Sequence, residues 1–491
     1  MKGWAMENEL DYFLKKAYDK WGERNYLFEK KSGSFVPITF KEFIDKVGYF
    51  SRYLLDKGYE GKFIGIYGKN SVNWMLCDVA IMGYVGSSVG LSKDLSYENL
   101  YYCIKKAELS LLIYDEEKET VVEKLKKDFP DINFLCMQKE LEGCILEGKK
   151  NDSGLTPMPR GNKLPAKVVF TSGTTSFPKA VLLSTQNIFS GWRALAKRVP
   201  FGEKDRCYLF LPLNHTYGAI YNFLYSLIFG FEIYLCGNLS EMAQEMMQTR
   251  PTIFSGVPII YERLYAGALA AGISLKTLMG GEMKYLFCGG ARLSKELRES
   301  YVREGMLMMN AYGLSETSST FCIDYPGETD LESVGTLDEY IDAKVIDPDE
   351  EGYGELAAKG DCIFLGYLKD EEATRAAFNE DGYFLTGDIG CIRNNKVYIK
   401  GRKDAKIVLP NGEKVLVKEI EGRVKSLNEN VVTVKPYVRN NQLHVDIYVK
   451  DESLTRNVKL WEELIGEFNN RATKYERIGS FEVKNSAGLL K

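Results

Sequence analysis

The sequence predicts an α/β protein: a large N-terminal body of doubly wound mixed sheets over residues 1–400, then a small α+β domain over residues 401–491. Three observations lead there. A chain of 491 residues is too long for one ordinary core. Between Lys62 and Leu91 an apolar run at Phe63–Tyr67 leads into a helical pattern from Val72 to Met82 and a small-residue return at Val85–Val89, which is the strand, helix, return grammar of a doubly wound sheet. From Asp388 onward the texture changes to short strands separated by charged turns.

The remaining elements follow in order. Further short strands are expected at Leu111–Tyr114, Phe134–Met137, Val168–Phe170, Tyr208–Leu211 and Thr252–Phe254. In the C-terminal segment, Val431–Val438 and Leu443–Val449 alternate around Arg439–Gln442 and read as a hairpin. Leu460, Leu464 and Phe468 fall at i, i+4 and i+8 and predict one apolar helical face.

Composition narrows the function. Hydrophobic residues make up 45% and charged residues 27%, the balance of a packed globular chain. With 64 basic against 68 acidic residues the formal charge is -4, which leaves no basic excess for a nucleic-acid backbone. The ten cysteines include no C-x-x-C pair and sit among apolar neighbours, so buried free thiols in a reducing, cytoplasmic setting are expected. Met1–Phe13 lacks the apolar stretch of a secretory signal, and Tyr208–Cys236, the most apolar region, is interrupted by Pro212, Asn214, His215 and Asn222, so no transmembrane segment is expected.

The segment Thr171-Ser172-Gly173-Thr174-Thr175-Ser176-Phe177-Pro178-Lys179 follows an apolar strand and combines hydroxyls, a glycine and one cation. Those are the requirements for cradling a polyphosphate. It lacks the G-x-x-x-x-G-K-[ST] spacing, as does Gly65–Ser71, so on residue chemistry alone it is either a phosphate cradle or a Ser/Thr-rich turn.

Further motifs decide between them. Thr-Ser-Gly-Thr-Thr with Pro178-Lys179 resembles the phosphate loop of the adenylate-forming superfamily, which includes acyl-coenzyme A synthetases, peptide-synthetase adenylation domains and luciferases. Collinear with it are Leu211-Pro212-Leu213-Asn214-His215-Thr216-Tyr217-Gly218, Gly256-Val257-Pro258, Cys288-Gly289-Gly290-Ala291, Tyr312-Gly313-Leu314-Ser315-Glu316-Thr317, Gly382–Asp388, Gly401-Arg402 and Asn411-Gly412-Glu413-Lys414-Val415. Each alone reads equally well as an ordinary turn or strand end. Together they span about Val168 to Val415.

The resemblance implies that a carboxylic acid is joined to AMP, pyrophosphate is expelled, and the acyl group passes to a thiol. Thr171, Ser172, Gly173, Thr174, Thr175 and Lys179 would hold the β- and γ-phosphates, and Glu316 with Thr171 would hold Mg²⁺, a hard ion suited to oxygen donors. Gly289, Gly290 and Ala291 would lie against adenine, Tyr312 would stack on it, Asn310 and Gly313 would complete the nucleotide site, and Ser315 would reach the α-phosphate. Asp388 would accept from both ribose hydroxyls and Arg402 would donate to the sugar or phosphate. His215 would sit beside the acyl carboxylate, whereas His444 reads as structural. The C-terminal domain would be a mobile cap hinged at Asp404, with Asn411 and Gly412 lining the thiol channel.

Departures from the family pattern stand out. Ser176 and Ala180 replace usual glycines; if those glycines used positive φ, a side chain would cost about 1–2 kcal/mol. Thr185 replaces a common histidine, and Leu489 replaces the lysine that reaches the α-phosphate. Lys491, two residues on, is the candidate for the missing cation, because i and i+2 in a strand point the same way about 6.6 Å apart. The motif set resembles fatty-acid ligases most, so the expected reaction is ATP-dependent formation of acyl-AMP and then acyl-coenzyme A. The alternatives are loading of a carrier-protein phosphopantetheine, and a nucleotide or acyl-adenylate binder with weak turnover.

Overall fold

The computed structural model describes residues 8–151, 157–171, 177–319, 321–403, 406–408, 414–439, 442–472 and 476–486. The chain divides into two compact units, one of Met1–Lys344, Ala357–Thr386 and Ile392–Tyr398, the other of Val345–Leu356, Gly387–Cys391 and Ile399–Lys491.

The first unit holds two mixed sheets, as the alternation of strand and helix patterns predicts. One runs Gly366–Tyr367, Lys179–Ser184, Pro165–Thr171, Ser87–Ser92, Phe63–Gly68, Leu111–Tyr114, Asn133–Cys136. Its last five strands are parallel and the first two antiparallel. The expected unit at Lys62–Leu91 is present: Phe63–Gly68 crosses through the helix Val72–Ala80, capped by the Ser71 hydroxyl, and returns as Ser87–Ser92.

The second sheet includes, in spatial order, Leu307–Tyr312, Tyr285–Cys288, Ile253–Gly256, Arg206–Leu209, Glu232–Leu235 and Asn25–Lys31, all parallel. A shared core lies between the sheets, joining Ile64 and Ile66 of the first with Leu209 and Ile233 of the second through Phe43, Val47, Phe50 and Trp74 on helices.

One charged pair sits inside this core. Lys167 Nζ lies 2.7 Å from both carboxylate oxygens of Asp78, each side chain is fully buried, and the ammonium faces the Trp74 ring at 5.1 Å. The pair joins strand Pro165–Thr171 to helix Val72–Ala80.

The second unit has its own core. Strand Gln442–Val449 pairs antiparallel with Val431–Arg439, as the hairpin pattern predicts, and parallel with Ile478–Asn485. Helices Val417–Lys425 and Val458–Arg471 contribute Ile420, Val424, Trp461, Ile465 and Phe468 to that core. The apolar face of the last helix is thus Trp461, Ile465 and Phe468 rather than Leu460, Leu464 and Phe468. Leu460 and Leu464 are only partly buried, because the indole takes the central position and rotates the stripe by one residue. His444 is buried in the sheet, bonded to Ser480 and Asp446, in keeping with a structural role.

Lys167→Met should lower stability by about 3–5 kcal/mol in urea unfolding, because it strands a buried carboxylate. The double change Lys167→Met with Asp78→Leu should recover most of that loss.

Candidate active site

The parallel strands of the second sheet end on a common side, so their C-terminal loops gather there. After Tyr285–Cys288 come Gly289 and Gly290; after Leu307–Tyr312 come Gly313, Leu314 and the tight turn Ser315–Thr317. These loops, with Leu211–Gly218, surround a cavity of about 370 Å³. His215, Gly289, Gly290, Gly313 and Ser315 all line it, together with Tyr217, Tyr221, Val257 and Phe287.

Small residues are needed here for steric reasons. A Cβ on Gly313 would fall 2.4 Å from the Ser319 carbonyl carbon, and Gly290 has φ +76°. Tyr217 forms a wall, its hydroxyl donating to the Phe287 carbonyl at 2.9 Å, and a Cβ on Gly289 would stand 3.4 Å from the Tyr217 ring. Tyr217 opens a π-helical stretch, Tyr217–Leu224, that begins two residues after His215. His215 is exposed on the cavity, and desolvation by the protein around it lowers its pKa, which favours the neutral imidazole.

Beside the cavity the turn carrying Glu316 is held from several directions. Ser319 Oγ bonds Thr216 Oγ1 at 2.5 Å, Ser318 Oγ donates to the Cys362 carbonyl at 3.0 Å, and the Phe364 N–H donates to the Glu316 carbonyl at 2.8 Å. The Glu316 carboxylate accepts from the Tyr367 hydroxyl at 2.9 Å. The Lys179 ammonium sits 4.7 Å from the centre of that same ring. Neither Glu316 nor Lys179 forms an ion pair among the described residues.

Thr171 and Lys179 face each other as the last and first residues of two antiparallel strands, with Thr171 Oγ1 donating to the Lys179 carbonyl at 3.4 Å. Ser172, Gly173, Thr174, Thr175 and Ser176 lie outside the described residues, as do Asp404, Asn411, Gly412, Leu489 and Lys491. Ala180 has no positive φ and pairs with Phe170 inside a regular strand, so the strain expected there does not arise. Thr185 is equally well accommodated: its hydroxyl donates to Asn162 Oδ1 at 2.7 Å at the start of a helix.

Other expected residues fall differently. Asn310 is buried in its strand, its N–H donating to Asp324, which Arg298 grips at 2.7 Å; it does not line the cavity. Ala291 is exposed and also off the cavity wall. Tyr312 packs against Phe321 at 5.2 Å, between Ala311 and Gly313, which do line it. In the second unit, Asp388 is buried and lies 3.4 Å from the Arg402 guanidinium, and Gly387 beside it has φ +71°.

Sequence reading missed Tyr367. Its one signal is a Gly-Tyr pair inside the apolar run Ile363–Leu368, where a polar tip on a large ring is out of pattern.

A sequence profile described as AMP-binding enzyme matches residues 14–368. The chain is similar to long-chain-fatty-acid–CoA ligase 5 of Rattus norvegicus, 26% identical over 80% of this chain and 68% of that one. It is similar to long-chain-fatty-acid–CoA ligase ACSBG2 of Gallus gallus, 25% identical over 84% and 63%, and to fatty acyl-CoA synthetase B of Dictyostelium discoideum, 28% identical over 83% and 72%. The chain thus spans about two thirds of the length of these relatives. Among solved structures, the ATP-bound RpMatB-BxBclM chimera B1 superposes with a TM-score of 0.84 over 97% of this chain and 95% of that one at 22% identity. The Mycobacterium tuberculosis fatty acyl CoA synthetase does so at 0.77 over 97% and 94% at 18% identity. These likenesses establish the fold.

Gly313→Ala should destabilise the chain by about 1–3 kcal/mol in urea unfolding, since its methyl group meets main chain and not a side chain that could swing away.

Proposed function

Because the chain belongs to the AMP-binding enzyme family, we propose that it is an AMP-forming acid–thiol ligase that activates a fatty acid with ATP and passes the acyl group to coenzyme A. The observation that carries this reading is the meeting of His215, Gly289, Gly290, Gly313 and Ser315 on one cavity, with Glu316 held by the hydroxyl of Tyr367 and Lys179 over its ring. The imidazole of His215 and the apolar walls suit a carboxylate head and an acyl chain, and the glycines leave room for a flat base.

The donor set fits Mg²⁺. Glu316 is a carboxylate with no ion pair among the described residues, and Thr171 supplies a hydroxyl oxygen. When bound there the ion would neutralise charge on the phosphate oxygens. The chain's own residues do the rest. Lys179 and the residues from Thr171 to Thr175 hold the polyphosphate tail, Ser315 donates to the α-phosphate, and His215 orients the acid for in-line attack on the α-phosphorus. Asp388 and Arg402 bind the ribose. Residues 401–491 form the cap that turns about Asp404, with Asn411 and Gly412 beside the incoming thiol.

The ten cysteines are all free thiols, which suits a reducing, cytoplasmic setting. No described helix is long and apolar enough to cross a membrane.

Pyrophosphate release measured against a panel of acids of graded chain length should show acid-dependent turnover, with acyl-coenzyme A as product. A carrier-protein thiol acylated in preference to coenzyme A would redirect the second step, and no release with any acid would end the reading. In the same assay Glu316→Gln should lower kcat by about 10²-fold, as expected for a group aimed at transition-state charge. Leu489→Lys should raise the rate of pyrophosphate release, and deletion of Lys491 should lower it. An unchanged rate on deletion would remove Lys491 from the mechanism.

A further inference from the structure

Lys179 and Glu316 carry opposite charges, stand close enough to share one tyrosine, and yet do not form a salt bridge with each other. The phenol O–H of Tyr367 donates to Glu316 Oε1 at 2.9 Å, and its ring face holds the Lys179 ammonium at 4.7 Å. We propose that Tyr367 is a positioning residue that sets the spacing between the Glu316 carboxylate and the Lys179 ammonium, so that a divalent cation and a polyphosphate enter one preset geometry; the proposal rests on the nucleotide-binding reading above.

The tyrosine is itself fixed from both sides. Its strand pairs with Lys179–Ser184, placing Tyr367 opposite Val181, two residues from Lys179. Its N–H donates to Thr374 Oγ1 at 2.9 Å, and Thr374 in turn donates to the Asp370 carbonyl at 2.7 Å. Gly366 has φ +139°, and a Cβ there would meet the Thr374 methyl at 2.9 Å, so the backbone before the tyrosine has one packing. Phe364 completes the clamp: its N–H holds the Glu316 carbonyl while its ring packs edge-on against Tyr367 at 4.9 Å. One short segment, Phe364–Tyr367, therefore holds Glu316 by main chain and side chain together and reaches Lys179 through the strand beside it.

The geometry also explains why a tyrosine serves and a salt bridge would not. Direct contact between Lys179 and Glu316 would neutralise both groups and leave neither for a ligand. An aromatic ring attracts the ammonium through its face, and a neutral hydroxyl orients the carboxylate while leaving its charge intact.

The test separates the two contacts. Tyr367→Phe keeps the ring under Lys179 and removes the O–H; Tyr367→Leu removes both. ATP binding is titrated calorimetrically in EDTA and across a Mg²⁺ series, beside pyrophosphate release. For Tyr367→Phe, ATP affinity in EDTA should stay within about twofold of wild type. The Mg²⁺ concentration for half-maximal tight binding should rise about tenfold, the size of one charge-assisted hydrogen bond. Its kcat should fall by a similar factor at unchanged KM for the acid. Tyr367→Leu should in addition weaken ATP binding in EDTA. A wild-type Mg²⁺ midpoint in Tyr367→Phe overturns the proposal while leaving the functional reading intact, as does an equal loss with and without Mg²⁺, which would mark a merely structural role. A wild-type chain that binds no ATP under either condition overturns both.

Discussion

Parallel pairing of three neighbouring strands, Ile253–Gly256, Tyr285–Cys288 and Leu307–Tyr312, is the constraint from which the site follows. Parallel strands share a direction, so their carboxyl ends and the loops beyond them collect on one side of the sheet, where backbone turns away and a crevice opens. Antiparallel order would have scattered Gly256, Gly289 and Gly313 to opposite edges. The glycines then have a local cause: at Gly313 main chain crosses main chain, and at Gly290 the backbone must adopt a left-handed conformation to leave the strand.

The other half of the site comes from the first sheet, and electrostatics decides how the halves can be joined. Opposite unit charges about 4 Å apart attract by roughly 4 kcal/mol at an effective dielectric near 20, so Lys179 and Glu316 would be expected to collapse onto each other if nothing intervened. Instead the ammonium lies over the Tyr367 ring and the carboxylate accepts from its hydroxyl. Contrast the buried pair of Lys167 and Asp78, where full desolvation leaves no alternative to direct contact, and the ammonium bonds both carboxylate oxygens. One pair is closed and holds helix to strand. The other is kept apart beside a cavity, which is how charge is arranged when it has to meet something else.

Much of this was legible in the sequence, because much of it is periodic or depends on residue type at fixed spacing. The strand, helix, return unit from Lys62 to Leu91 and the hairpin around Arg439–Gln442 follow from alternation and turn chemistry, and the structure reproduces both. His215, Gly289, Gly290, Gly313 and Ser315 were found from motifs and meet on one cavity. What escaped depends on three-dimensional pairing. Tyr367 reaches Lys179 and Glu316 from far along the chain through a two-residue strand too short to have a pattern. Asn310 sits within a motif-bearing strand, yet its side-chain amide donates to the Ser333 carbonyl at 3.4 Å and does not line the cavity. The last helix misled by one position because Trp461, by sheer area, takes the centre of the face that two leucines seemed to claim.

The hydroxyl-rich segment shows why spacing alone left two readings open. In the usual glycine-rich phosphate loop a helix follows, and its N-terminal N–H groups supply much of the positive potential. Here the described strands on either side of the segment are antiparallel, with Thr171 paired to Lys179 across the ladder, and Lys179 opens a strand and not a helix. The strand pairing also puts Lys179 at the first position of the returning strand. It also explains why a substituted glycine at Ala180 costs nothing: that position belongs to the strand, where extended backbone accepts any side chain, and the demand for left-handed φ falls instead on the loops of the second sheet.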